Sequence, residues 1–133
     1  MNDTLKTLTE IENDDWGPPG FPSHLVTTCH RLRHKPLAEF TVEDLRILLG
    51  QRFSPEHLMP LALDELERNP LAEGDHYPGD LLYAALTLKS SYFDSNPEHG
   101  ARLRSIYERA REDLVANDYS TERFDLAADK HWR

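Results

Sequence analysis

The sequence contains a single cysteine, Cys29, among its 133 residues. One thiol cannot form an internal disulfide, so no such cross-link stabilises the fold. The sequence also lacks any run close to the ~18 consecutive apolar residues of a membrane-spanning helix. Its first five residues show neither the basic start nor the apolar stretch of a signal peptide. Together these absences predict a cytoplasmic protein that does not associate with membranes.

Positive charge is scarce as well. The chain has 15 Lys and Arg residues against 24 Asp and Glu residues, which gives a net charge of −9. Domains that bind nucleic acids usually present a basic stripe. The one short positive patch consists of Arg31, Arg33 and Lys35, with His30 and His34 nearby, and cations at the end of a helix complement the helix dipole. We therefore predict no nucleic-acid partner.

Negative charge is concentrated between residues 37 and 80, which contain ten carboxylates and three arginines. These acids alternate with Leu, Pro and aromatic residues, so the segment is predicted to fold and not to form a disordered acidic tail. A folded surface with excess negative charge suits a basic partner. The candidate contact residues, here and near the N-terminus, are Asp14, Asp15, Asp64, Glu65, Glu67, Glu73 and Asp75.

Trp16 follows two of these acids and precedes a Pro- and Gly-rich stretch. An exposed tryptophan would be a good anchor for a partner, because Trp is enriched among binding hot spots. A buried one would clamp the loop onto the core. Burial is the commoner state of Trp, so we expect the clamp while keeping Trp16 among the candidate partner-binding residues.

Apolar residues recur at helical spacing along most of the chain. A first helix is predicted around Leu5, Leu8 and Ile11, and a last one from Pro97. Between them, helices are predicted after the N-caps Ser23 and Thr41, from Pro55 with a kink or delayed start at Pro60, and over the strongly apolar residues 81–88, with Gly50 as a C-terminal cap. The fold class is therefore all-α: a compact single-domain bundle of about five to seven helices. Residues 1–117 are predicted to form the domain, and residues 118–133 a partly ordered extension.

No motif supplies obvious chemistry. His30 and His34 are four residues apart beside Cys29, but a zinc site needs three or four ligands and the count is not met. Carboxylate pairs such as Glu73 and Asp75 lie in a polar loop, without the contrasting environments that acid–base catalysis requires. Catalytic triads, glycine-rich phosphate loops and calcium loops are not recognisable. We predict no enzymatic activity, no cofactor, no metal and no small-molecule substrate.

Several blocks of the sequence match a known pattern. They read LTEIENDDWGPP over residues 8–19, LVTTCHRLRHKPL over 25–37, VEDLR to GQ over 42–51, and NPLAEGDHYPGDLL over 69–82. The pattern resembles a family of small helical immunity proteins from bacterial contact-dependent growth inhibition systems. The resemblance covers about residues 5–90, and it consists of loops and apolar spacing, with no active-site signature.

The resemblance implies a cytoplasmic protein that binds the C-terminal toxin domain of a large secreted effector. Such a toxin is often a nuclease and therefore often basic, which agrees with the acidic composition. Binding would cover the toxin's active site or an adjacent surface. The competing hypotheses are a helical adaptor or regulator that inhibits no toxin and, third, an enzyme or metal-binding module.

Overall fold

The computed structural model describes residues 3–16 and 23–132. Within them the chain forms two short 3-10 helices, Asp3–Leu5 and Leu37–Glu39, and no strand. The predicted all-α class is confirmed. No helix in the described ranges is both long and apolar enough to cross a bilayer. The α-helices are α1 (Leu8–Glu12), α2 (His24–Leu32), α3 (Val42–Gly50), α4 (Pro55–Arg68), α5 (Asp80–Leu86), α6 (Ser90–Ser95), α7 (Pro97–Ala116) and α8 (Glu122–Asp129).

The predicted N-caps of α2 and α3 are confirmed. The Ser23 hydroxyl accepts a hydrogen bond from the Val26 amide at 3.1 Å. The Thr41 hydroxyl accepts from the Asp44 amide at 3.1 Å, while the Asp44 carboxylate accepts from the Thr41 amide at 3.0 Å. This reciprocal arrangement satisfies two amides that the first turn of a helix leaves without partners. Asp44 also binds the Lys35 ammonium at 2.6 Å, which ties the end of the α2 segment to the start of α3.

Helix α5 lies at the centre of the core, as its apolar sequence predicts. Six of its seven residues are buried, and it packs against α3, α4, α7 and α8. Only Tyr83 is half-exposed. A helix that is apolar all round has to be covered on every side, so the longer amphipathic helices turn their apolar faces toward α5. Leucine dominates the surrounding core.

Two local predictions are wrong, and one of two alternatives for a third is excluded. The first predicted helix includes Leu5, but α1 begins at Leu8 and Leu5 is 82% exposed; Leu25 on α2 is 42% exposed. Gly50 is the last residue of α3, and the cap falls on Gln51, followed by Arg52 with a φ of 61°. The chain therefore reverses at a non-glycine residue, which the favoured role of glycine in helix caps did not predict. Of the two effects predicted for Pro60, the delayed start is excluded, because α4 begins at Pro55 as the Ser54–Pro55 pair predicts, and the kink stays a prediction.

The structure adds two helices that the spacing did not reveal, α6 and α8. Helix α8 lies in the segment predicted to be partly ordered, and it packs against α5. Its Phe124 is buried and meets the Tyr83 ring edge-on, with 6.4 Å between the ring centroids. The Nε2 atom of His131 lies 2.7 Å from the Leu86 carbonyl oxygen, and Trp132 packs against the core. The division of the chain at residue 117 stays a prediction.

We expect Gly79→Ala to destabilise the protein by about 2–3 kcal/mol, because an alanine there would be strained. Gly79 has a φ of +90°, and an added Cβ would lie 2.8 Å from Cζ of the buried Phe124 ring. The matched control is Gly50→Ala, where an added Cβ meets nothing within 4 Å. This exposed helical position should gain about 0.5–1 kcal/mol. Urea unfolding of both variants is the measurement, and equal effects would contradict the packing of α8 on this turn.

Candidate functional site

The acids predicted on α4 are neutralised by arginines. The Arg102 guanidinium on α7 lies 2.9 Å from Asp64 and 2.6 Å from Glu67. Glu67 also accepts a second hydrogen bond from Arg102, at 3.0 Å, so this pairing is bidentate. The hydrogen bonds from Arg102 hold the pKa of Glu67 below its ordinary value. Bidentate pairs of this kind fix the geometry of both side chains.

Glu65 is also paired, with Arg68 at 2.6 Å. A third arginine, Arg109, donates a hydrogen bond to the Glu67 carbonyl oxygen at 3.2 Å. Three guanidinium groups therefore lie beside these three carboxylates and offset most of their charge. This pairing was not predicted, because two of the three arginines lie on α7, more than thirty residues away.

A second group of acids surrounds the loop between α4 and α5. We call it the loop cluster, and it consists of Glu43, Arg46, Glu73, Asp75 and Asp80. Asp80 is 2% exposed, and its carboxylate accepts hydrogen bonds from the Gly74 amide at 2.7 Å and the His76 amide at 3.1 Å. The Asp80 carboxylate thus folds back onto the loop that precedes its own helix. It therefore fixes the shape of that loop.

Glu43 holds the same loop from α3. Its carboxylate pairs with the Arg46 guanidinium at 2.5 Å and accepts a hydrogen bond from the Asp75 amide at 2.9 Å. The hydrogen bond from Arg46 is the main reason that the pKa of Glu43 is lowered. Arg46 also lies 3.8 Å from Asp80. The loop cluster has four carboxylates and one guanidinium, and the side chains of Glu73 and Asp75 are exposed, so this surface keeps a negative charge.

The N-terminal candidates lie against a buried arginine. Asp14 and Asp15 are exposed, and the Asp14 carbonyl oxygen accepts a hydrogen bond from Arg33 at 3.0 Å. Arg33 is buried, pairs with Glu12 at 2.7 Å, and places its guanidinium 4.3 Å from the centroid of the Trp16 ring. Trp16 is half-buried against the core, in agreement with the clamp.

The positive patch of the sequence agrees in part with the helix-end interpretation, because His30 and Arg31 lie in the last turn of α2. Arg33 is inside the protein, and Lys35 pairs with Asp44. The histidines of the patch point to different partners: the His30 ring lies 5.1 Å from the Trp16 ring, and His34 lies 3.6 Å from Asp15.

Cys29, His30 and His34 do not form a group of potential metal ligands. Cys29 is buried, and burial raises the pKa of its thiol. Among the described residues, the one group of three potential ligands within 4.8 Å of one another is Glu12, Glu56 and His57. Glu12 already pairs with Arg33 and accepts a hydrogen bond from Ser54 at 2.8 Å. A metal ion would have to compete with the Arg33 cation, which makes this group a poor site.

A groove lies between α5 and α8. It has a volume of about 700 Å³. A smaller cavity of about 320 Å³ adjoins it and shares Tyr77, Tyr83 and Thr87. Neither was predicted from the sequence, because the groove takes one wall from α8 and the smaller cavity brings α3 residues together with α5 and the loop before it. The groove is lined mainly by apolar and aromatic side chains, among them Tyr77, Tyr83, Leu114, Tyr119, Phe124 and Leu126.

Comparison with known proteins identifies the family of the chain. A family model described as CDI immunity proteins matches residues 10–103, where CDI stands for contact-dependent growth inhibition. The chain belongs to this family. No curated protein and no solved structure matches it significantly. The matched residues include α2 to α6, the loop cluster and part of α7, whereas α8 lies beyond them. This CDI immunity protein thus builds its groove partly from residues outside the family match.

We expect Asp80→Ala to cost about 2 kcal/mol of folding free energy, because it leaves part-buried loop amides and Arg46 without their shared partner. Asp75→Ala is the control, since that carboxylate is exposed and only its backbone amide binds Glu43. The control should change stability little. Urea unfolding gives the free energies, and hydrogen exchange should accelerate at Gly74 and His76 in the first variant only. Unchanged exchange at both amides would contradict the role of Asp80.

The lowered pKa of Glu43 predicts a contribution to acid sensitivity. A carboxylate with a depressed folded pKa stabilises the protein above its ordinary value of 4.5, and that contribution is lost as the pH falls through the folded value. We expect Glu43→Gln to be less stable than the natural protein at pH 7 and to lose less stability on acidification below pH 4.5. Thermal unfolding from pH 3 to 7 is the measurement, with Glu108→Gln as control. Parallel pH profiles for both variants would count against the Arg46 pair.

Proposed function

We propose that this CDI immunity protein binds and neutralises the toxin domain of its cognate effector. In this proposal the toxin domain is basic, of the nuclease class, and is met in the cytoplasm of the cell that makes the immunity protein. Bound immunity protein covers the toxin's active site or the surface beside it, so substrate cannot enter. Membership of the family and the net charge of −9 support the proposal. The immunity protein itself acts as a stoichiometric binder and transforms no substrate.

The loop cluster is the part of the surface that we propose to meet the toxin first. Its side chains at Glu73 and Asp75 are exposed, while the loop beneath them is held by Glu43 and Asp80. A charged surface on a fixed loop loses little conformational entropy when a partner docks. The exposed acids on this fixed loop are the single observation on which the proposed toxin contact rests. Asp14 and Asp15 are also exposed and form the second proposed contact.

The α4 acids have a smaller part in this proposal. Arginines already bind Asp64, Glu65 and Glu67. Their positive charges therefore cancel most of the electric field of these carboxylates at short range. Surface ion pairs are also worth little free energy by themselves. We keep these three acids as contacts at the rim of the interface. Trp16 supports the loop near Asp14 and Asp15 by packing, because its ring is engaged with Arg33, His30 and Phe53.

Opposite charge would act mainly on the rate of encounter. Complementary surfaces raise association rate constants by orders of magnitude, and salt screens the effect. Slow dissociation of the complex would come from a side chain buried at the interface near the charged surface, because a few buried contacts carry most of the binding energy. Discrimination against other toxins would come from mismatched charges and unpaired polar groups.

We expect the association rate constant with the cognate toxin domain to fall steeply with ionic strength. At low salt, Glu73→Gln combined with Asp75→Asn should slow association about threefold or more. Asp64→Asn combined with Glu67→Gln changes the net charge equally and should slow it less, because those acids are already balanced by Arg102. Stopped-flow mixing measures both.

The two pairs of substitutions separate charge from location. A rate constant that does not respond to salt would refute electrostatic docking. A larger effect of the α4 pair would move the interface to the α4–α7 surface.

A further inference from the structure

The groove between α5 and α8 has the shape of a binding site for one side chain of a partner and the residues next to it. Its walls carry Tyr77, Tyr83 and Tyr119, and its rim carries Leu126. Tyr119 is 59% exposed and Leu126 61% exposed. Apolar side chains left in water at the edge of a concave surface are typical of a site that a partner covers. The buried ring of Phe124 forms part of the lining.

The charge of the groove differs from that of the rest of the protein. Arg123 and Lys130 line it, and within the described ranges neither lies within ion-pair distance of a carboxylate. Arg123 is held by ring stacking instead, with its guanidinium 4.3 Å from the Tyr77 centroid and 5.8 Å from the Tyr83 centroid. Glu122 is the one acid in the lining. The groove therefore offers two cations in a strongly acidic protein.

Arg52 extends this positive character into the adjoining cavity. It lines that cavity and donates a hydrogen bond to the Thr87 carbonyl oxygen at 3.3 Å. Like Arg123 and Lys130, it has no carboxylate partner in the part of the chain that the structure describes. The neighbouring acid, Asp80, is buried and engaged with loop amides. The two cavities thus form one surface with aromatic walls and three available cations.

We propose that this groove receives a segment of the toxin domain that carries an aromatic or aliphatic side chain next to an acidic residue. The apolar side chain would fill the space between the tyrosines and Phe124. The carboxylate would pair with Arg123 or Lys130. Because the Arg123 guanidinium is already stacked on a ring, it loses little conformational freedom on binding. This inference rests on the proposed function and names the anchor of the complex.

The groove and the loop cluster have opposite charges and share Tyr77 as a neighbour. A partner that is basic over most of its surface and acidic in one segment could dock in one orientation only, since the reverse would bring like charges together. The α8 residues of the groove also lie outside the segment matched by the family model. Residues outside the matched segment are not fixed by the family pattern, so the groove is suited to determine which toxin is bound.

A cross-linking experiment identifies the occupant directly. Leu126→Cys, labelled with a benzophenone maleimide, places the probe at the groove rim, and the single natural thiol, Cys29, is only 2% exposed. Irradiation in the presence of the toxin domain should yield one cross-linked toxin peptide that contains Asp or Glu. Leu5→Cys, labelled at an 82% exposed leucine outside the groove, should not yield that peptide.

Binding measurements test the same inference independently. Arg123→Glu combined with Lys130→Glu should raise the Kd for the toxin domain about tenfold or more. Lys6→Glu combined with Lys89→Glu makes the same change in net charge outside the groove and should raise it less than about threefold. Isothermal titration calorimetry gives the Kd values, and melting curves confirm that both variants are folded.

The outcomes separate this inference from the proposed function. If the natural protein does not bind the toxin domain, the proposed function fails and the inference falls with it. If it binds, but the groove variant matches its control or the cross-linked toxin peptide has no acidic residue, only the groove assignment is overturned. Cross-links between two copies of the immunity protein would also overturn it, because the occupant would then be a second copy.

Discussion

The burial of helix α5 is the constraint on which the rest of the structure depends. The helix is apolar on nearly every side, and six of its seven residues are buried. Four helices have to surround it, and α8 supplies the last of these walls. The cover is incomplete only near Tyr83, where the tyrosine ring, the preceding loop and α8 leave a groove. The same packing requirement thus produces both the core and the groove.

Most of the acidic residues between positions 37 and 80 have structural partners. Asp44 binds Lys35, Glu43 and Asp80 hold the loop before α5, and the α4 acids bind arginines. A high density of carboxylates in a sequence therefore does not by itself define an acidic surface, because partners from distant helices cancel much of the field. The loop cluster keeps its charge because one guanidinium faces four carboxylates.

The sequence predicted the class of the fold and several local features for clear physical reasons. N-caps at Ser23 and Thr41, the start of α4 at Pro55 and the central position of α5 depend on short-range spacing and composition. Other features depend on contacts between distant residues. Nothing near Asp64 indicates Arg102, nothing near Arg33 indicates its burial beside Trp16, and the polar segment around α8 gives little sign that Phe124 seals the core. The groove was missed for the same reason.

The most direct test of the proposed neutralisation is growth of bacteria that express the cognate toxin domain. Growth should stop when the toxin domain is produced alone and should continue when this immunity protein is co-expressed, with the two proteins purifying together as a complex of fixed stoichiometry. If the toxin domain still stops growth when soluble, folded immunity protein is present in excess, the claim that this chain neutralises its partner by covering it is contradicted.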